Sequence, residues 1–324
     1  MLDVRRLGLL CDLARLGTIA AVAASHNYTA SAVSQQLSAL EREAGVRLLA
    51  RTGRSVTLTA AGRILVRHGT TVLAELEQAT AALAAVAEGL TGPLRIGAFP
   101  TAVRALFPAA LVALGRRHPG LELMVSELDP AEVPAALRDR RVDVGLINDY
   151  DLVPARPDPG LDDVALLDEP VYLAVPRTWT AARGRDEGVA LPSLGEAAWI
   201  LATPGTVCHT VTVQLCRAAG FSPRGRHYAD DFTTVLSLVA AGLGVSVVPA
   251  MAVADDVAAG EGGAGIDGGV LGRGVAGGVR LHALPTRRRT RIAYRKGAAE
   301  HPAVAAFVAA IRESCRFAPS VRSG

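Results

Sequence analysis

TASAVSQQLSALEREA, residues 29–44, is the stretch that decides what kind of chain this is. At about 100° per residue, Val33, Leu37, Leu40 and Ala44 fall within about 60° of one another and form the apolar stripe of an α-helix. The opposite face holds Ser31, Gln35, Ser38 and Arg42, flanked by Ser34. Short hydroxyls, an amide and a guanidinium are the groups that hydrogen-bond base edges in a major groove, although the same face alone would suit plain solvent. Thr29 is the expected N-cap and Gly45 the stop.

The flanks favour the DNA reading. Upstream, Leu2–Leu16 has apolar residues at helical spacing, Gly17 ends that helix, and Thr18 can cap the short apolar helix Ile19–Ser25. His26, Asn27 and Tyr28 form a turn, so two helices meet as in a helix-turn-helix, with the second as reader. Downstream, VRLLAR, the basic turn Arg51-Thr-Gly-Arg54 and Ser55–Leu58 read as strand, turn and strand, a wing whose arginines face phosphate or the minor groove. The candidate DNA contacts are Thr29, Ala30, Ser31, Ser34, Gln35, Gln36, Ser38, Arg51 and Arg54. Charge is distributed accordingly. Residues 1–68 carry nine arginines against four acids, whereas the whole 324-residue chain has a net charge of only +3.

The run Thr18–Gly62, with its AVSQQLSALE, GVRLLAR and LTAAG segments in that order, resembles the N-terminal domain of LysR-type transcriptional regulators. Gln35 departs from the arginine common there, which puts a phosphate or guanine contact in doubt. After Thr59, an expected N-cap, Leu65, Val72, Leu76, Ala79, Leu83, Val86 and Leu90 follow a spacing of 7, 4, 3, 4, 3 and 4. This is an a/d seam skipping one position at Gly69. A seam on one long helix needs a partner, and in the resembling family the corresponding helix mediates dimerisation, here through Leu65, Val72, Leu76, Leu83 and Val86. Thr91-Gly92-Pro93 ends it.

From Leu94 strand and helix alternate: LRIGAF, TAVRALFPAALVALGRRH, LELMVSEL, PAEVPAALRDR, VDVGLI, VYLAVP, WILAT, the helix Val207–Ala219, DDFTTVLSLVAAG and VSVVP. Repeated βα units predict a parallel sheet with helices on both faces and a ligand beyond the strand ends. Asp129, Pro130 and Glu132 read as cap, first-turn proline and N3 acid of one of these helices. The stretches LRIGAFPTAVRALFPAAL, RRVDVGLI and GF…DDFTTVLSLVAAGLGVSVVP resemble the effector domain of the same family, which is similar to periplasmic binding proteins. The expected fold is therefore multidomain: an α-rich winged helix-turn-helix over 1–58, a linker helix over 59–90, and an α/β effector domain over 91–324. The resemblance divides that domain into Rossmann-like subdomains 91–166 with 291–324, and 167–290. It also lines the cleft with Ala98, Phe99, Pro100, Thr101, Ser126, Leu128, Asn148, Thr203, Phe232 and Thr233. Phe99, bulky where small polar residues are common, points to a more apolar or smaller ligand.

Other function classes fit less well. Cys208 and Cys216 lie where the peroxide-sensing branch of the family keeps its redox pair, but seven residues separate them rather than eight. Eight helical positions rise about 12 Å, against the ~7 Å between Cα atoms that a disulfide spans. No GxSxG, HExxH, P-loop or Rossmann fingerprint points to an enzyme, the histidines lack metal-ligand spacing, and no cofactor or metal is expected. A solute-binding protein without DNA function fits neither the basic N-terminal module nor an N-terminus unlike a signal peptide. Phe232–Ala254 is free of charge, but Gly242, Gly244 and Pro249 break it into helix and strand. A cytoplasmic regulator is expected, with promoter DNA and a small-molecule effector as partners, as a homodimer or a dimer of dimers. Gly260–Gly278, with 10 glycines in 19 residues, reads as a surface insertion.

Overall fold

A computed structural model of the chain describes residues 1–52, 55–86, 89–155, 157–179, 191–253 and 278–317. The Gly-rich segment, apart from Gly278, lies outside these residues, as does Arg54.

Three helices and a two-stranded wing form the N-terminal unit. Helix α1 (Val4–Leu16) starts two residues later than its apolar spacing suggests, because Asp3 accepts from the amides of Arg5 and Arg6 as N-cap. Helix α2 (Ile19–Ser25) is capped by Thr18, and α3 (Ala30–Ala44) by Thr29, whose hydroxyl accepts from Ala32 N. Between them Asn27 takes a left-handed φ of 54°, a conformation Asn tolerates better than most residues. Gly45, at φ 68°, closes α3. Val33, Leu37 and Leu40 are buried against Leu9, Leu10, Leu13, Val22 and Leu48, so the predicted stripe is the core-facing one. Strands β1 (Leu49–Thr52) and β2 (Ser55–Leu58) pair antiparallel from Leu49 opposite Leu58 to Thr52 opposite Ser55.

Helix α4 (Ala60–Val86) begins where Thr59 Oγ1 accepts from Gly62 N at 3.0 Å. Its buried residues are Gly62, Gly69, Glu77 and Ala81. Gly69, the skipped seam position, is where α1 crosses: a Cβ there would stand 2.8 Å from Leu7 Cδ1. Farther along, Glu77 accepts from Arg295 Nε at 2.8 Å and from Arg140 Nη2 at 2.7 Å, both from the C-terminal domain. The seam residues Val72, Leu76, Leu83 and Val86 are 42, 47, 75 and 83% exposed and lie a quarter-turn or more round the helix from Glu77. Leu65 alone among the five packs onto the N-terminal core.

The C-terminal domain is built on a six-stranded sheet in the order β4-β3-β5-β10-β6-β9. Its strands are β3 (Gly92–Ala98), β4 (Leu121–Glu127), β5 (Val144–Tyr150), β6 (Leu161–Pro176), β9 (Ser246–Pro249) and β10 (Val279–Arg295). Only β3–β4 and β3–β5 are parallel; β5–β10, β10–β6 and β6–β9 are antiparallel, so the expected parallel sheet is corrected to a mixed one. The reason is two long strands absent from the βα count. β6 begins well before the VYLAVP run, and β10 runs through the arginine-rich PTRRRTRIAYR stretch. The division points 166/167 and 290/291 fall inside these continuous strands, beside an irregularity in their pairing between Thr290 and Arg291. A parallel pair, β7 (Ala198–Leu201) with β8 (Arg224–Tyr228), forms a smaller sheet.

Helices α5 (Pro100–Ala105), α6 (Phe107–Arg117) and α10 (Pro302–Phe317) cover one face of the large sheet over a core containing Phe107, Ile292 and Phe307. Helix α7 (Val133–Arg138) covers the other with Val142 and Ala293. It starts after the expected cap: Asp129 Oδ1 accepts from Ala131 N and closes a separate turn. Helices α8 (Val207–Ala218) and α9 (Phe232–Ala240) pack around Trp199 and Ile200 in the second lobe. No single described helix is long and apolar enough to cross a membrane.

Burial disfavours the charged form of Glu77, but Arg295 and Arg140 together outweigh it and hold the carboxyl below its ordinary range. A lowered folded pKa adds stability above the unfolded value, which is lost as pH falls. Glu77→Gln should therefore cost about 1–3 kcal/mol at pH 7, and the deficit should shrink as pH drops below about 4.5. Urea midpoints of both proteins at pH 7 and pH 4 check this.

Candidate functional site

The α3 face opposite the buried stripe presents Thr29, Ala30, Ser31, Gln35, Ser38 and Arg42 to solvent, with Ser34 half-buried at its edge. Thr29 Oγ1 and Ser31 Oγ share a hydrogen bond of 2.9 Å, which fixes the helix start. Gln36 does not join this face. It lies more than a quarter-turn round the helix and its Oε1 accepts from Arg6 Nε at 2.8 Å. Arg6 also pairs with Glu43. Gln36 thus borders a cleft of about 1060 Å³ between α1, α4 and the C-terminal domain. Arg51 lies in β1, opposite Val56.

The expected cleft residues divide. Ala98, Phe99 and Thr101 are buried at the β3–α5 junction, and Pro100 opens α5. Phe99 is a cover, not an open wall: its ring lies under the Arg288 guanidinium, Cζ 4.9 Å from the ring centroid. Ser126 is exposed on the edge strand β4, and Leu128 packs against Gly97 beside the α7 core, on the other face of the sheet. Thr203 uses its amide and hydroxyl on Asp230, at 2.8 and 2.7 Å. Phe232 is in the second-lobe core, and Thr233 Oγ1 accepts from Arg104 Nη1 at 2.6 Å. Arg104 also reaches Asp231 at 3.2 Å, so α5 is tied to the start of α9.

Asn148 is buried on β5 directly opposite Thr290 of β10, and next in register Tyr150 faces Arg288. Arg288 and Glu169, also opposed, form an ion pair with side chains 1% and 5% exposed, Nη2 to Oε1 2.6 Å. Met251 N donates to the second oxygen of Glu169 at 2.5 Å. Among the described residues no group of three or more His, Cys, Asp or Glu is placed to hold a metal ion.

Residues 4–63 match the model of the bacterial regulatory helix-turn-helix protein of the lysR family, and residues 87–316 match the LysR substrate binding domain. The chain belongs to the LysR family. It is a DNA-binding transcription regulator with a C-terminal effector domain. A probable hydrogen peroxide-inducible genes activator of Streptomyces viridosporus is 32% identical over 318 residues, covering 95% of this chain and 96% of the relative. The DNA-binding transcriptional dual regulator OxyR of Escherichia coli K12 is 30% identical over 252 residues, 78% of this chain and 80% of its own. A cysteine mutant of Corynebacterium glutamicum OxyR, solved with H2O2 bound, superimposes with a TM-score of 0.55 at 25% identity, covering 98% of this chain and 94% of that one.

Sequence reading missed Tyr150, Glu169, Arg288 and Thr290, which the strand register brings beside Asn148, and the Arg104–Asp231 pair that links α5 to α9. The alternation Thr286, Arg288, Thr290, Ile292 was the available signal, hidden because an arginine at an inward position looks like a solvent residue. The cysteines are free. Cys208 Sγ lies 3.7 Å from Tyr150 Oη, and burial raises its pKa against the opposing pull of Arg288. Burial pushes the Cys216 thiol up to about 12. A thiol at that value has a thiolate fraction at pH 8 on the order of 10³-fold below an ordinary cysteine. Iodoacetamide at pH 8 should therefore label Cys216 slowly in the folded protein and rapidly in urea, as read by peptide mass spectrometry.

Proposed function

We propose that this LysR-type regulator reads operator DNA with Thr29, Ala30, Ser31, Ser34, Gln35 and Ser38 of α3, while the β1–β2 wing and Arg42 contact phosphate. What carries the reading is a polar, nearly uncharged helix face left uncovered by the rest of the chain, on the second helix of a helix-turn-helix. Side chains of this kind hydrogen-bond base edges, each good contact contributing about 1–3 kcal/mol of discrimination. Footprinting of the promoter regions next to the gene is the direct test. Gln35→Ala and Ser38→Ala should lower the preference for the footprinted site over random duplex by about 5- to 100-fold each. Arg42→Ala should weaken both about equally and flatten the salt dependence by about one unit. Equal affinity of the unaltered protein for all duplexes at moderate salt would end this reading.

The second element of the proposal is a homodimer through α4. Val72, Leu76, Leu83 and Val86 form an exposed apolar line at heptad spacing, while the opposite side of the helix packs on its own chain. Such a dimer places two reader helices in successive major grooves of a palindromic site, and two dimers can extend it. Leu76→Asp with Leu83→Asp should give a folded monomer in analytical ultracentrifugation that loses operator affinity by at least tenfold; an unchanged dimer would refute the seam.

The third is an effector cleft between residues 91–166 with 291–324 and residues 167–290, built around Thr101, Asn148, Phe232 and Thr233. It acts by binding rather than catalysis, in the cytoplasm. The names of the relatives favour a second reading, a peroxide response. A disulfide between Cys208 and Cys216 is poorly suited to it, since both thiols are raised by burial and lie two turns apart on α8.

A further inference from the structure

We propose that the effector cleft takes a small, uncharged hydrogen-bonding molecule, held between Asn148 of β5 and Thr290 of β10, and rejects carboxylates. This rests on the reading of that cleft as the effector site and specifies its ligand class.

Asn148 and Thr290 are directly opposed in the sheet register, so their side chains share one face. Both are buried, and Asn148 Oδ1 and Thr290 Oγ1 have no hydrogen-bond partner. The same holds for Thr286 Oγ1, farther along β10 on the same alternation. Buried polar atoms in folded proteins are paired nearly without exception, so orphans on two directly opposed residues, whose Cβ atoms such a register sets about 5 Å apart, call for a group that satisfies both. An amide oxygen and a hydroxyl are neutral. Their complement is a donor toward Asn148 and a donor or acceptor toward Thr290, which an alcohol, an amide or a diol supplies.

Charge argues the same way. The cation of this floor, Arg288, is already engaged by Glu169, by the face of Phe99 and by Met251 Sδ. A carboxylate ligand would have to draw Arg288 away and leave Glu169 buried without its counterion, an arrangement that low-dielectric surroundings penalise heavily. The rim adds further negative charge. Asp129 is raised by its burial and by the nearby Glu132 and Asp230, and the rim cation Arg104 is held by Asp231. A lone bridging water is the competing occupant of the Asn148–Thr290 site, and it makes a different prediction.

Full-length protein, Thr290→Val and Asn148→Leu are compared by thermal unfolding, alone and with paired probes: acetamide against acetate, benzamide against benzoate, and propane-1,2-diol. Removing an orphan from a ligand site relieves its burial penalty, so both variants should melt about 2 °C or more above the unaltered protein without ligand. A permanently bound water would make them melt lower, which overturns the proposal. At least one neutral probe should raise the melting temperature of the unaltered protein, its acid counterpart should not, and both variants should lose the response. No response to any neutral probe overturns the proposal. A carboxylate response lost in both variants keeps the cleft reading and overturns the neutral ligand. A probe response untouched by both variants overturns the cleft reading itself.

Discussion

The Arg288–Glu169 pair is the constraint around which the effector domain is arranged. Two charges taken out of water are a heavy cost, recovered only when geometry is good and the remaining donors and acceptors are met. Here they are met: Arg288 bonds Glu169 through Nε and Nη2, and Glu169 accepts Met251 N on its other oxygen. Burial pulls the Arg288 pKa down, yet the Glu169 carboxylate more than reverses it, so the guanidinium stays charged. The partners closing on the pair come from different parts of the chain: Phe99 enters from the β3–α5 junction, and Met251 from the turn after β9. Residues far apart in the chain thus solvate the same ions.

A similar division of labour runs along α4. Its small residues Gly62, Gly69 and Ala81 let other elements approach its backbone, while Glu77 anchors it to Arg295 and Arg140. Arg295 sits at the end of β10 and also bonds the carbonyls of Leu137 and Val142. The strand that carries Arg288 and Thr290 therefore ends on the linker helix α4, which follows directly from the N-terminal unit. One strand, one buried ion pair and one helix thus form a continuous chain of contacts from Arg288 and Thr290 to the N-terminal unit.

The N-terminal unit was legible because its signals are local. Thr18, Thr29 and Gly45 act within one turn of where they stand, and the stripe Val33, Leu37, Leu40 is a matter of spacing alone. The α4 seam was legible for the same reason, though its skip at Gly69 acquires a meaning only once α1 is seen to cross there. The effector domain was legible as α/β, but not as a mixed sheet. The first half of β6, LDDVALLDE, sets paired acids on either side of a short apolar run, without strand alternation, along a strand bonded to β10 over a hundred residues away. Inward arginine in β10 defeated the hydropathy pattern. Leu128 was misplaced because position along a strand gives its end, whereas the side-chain face depends on the pairing around Gly97.

The contrast between reader and cleft has a thermodynamic side. Reader groups are solvated when DNA is absent, so their exposure costs nothing and a helix face suffices to specify them. The proposed ligand groups Asn148 and Thr290 are instead buried without a partner, and unmet burial of that kind raises the free energy of the arrangement that buries them. A molecule that meets them lowers that arrangement alone and leaves any opened one untouched, which is the differential affinity a two-state regulator needs. The Arg104 contacts to Asp231 and Thr233 are partly solvent-exposed and so contribute modestly to holding α5 against α9. A fully satisfied cleft would hold the lobes in place with nothing left for a ligand to change.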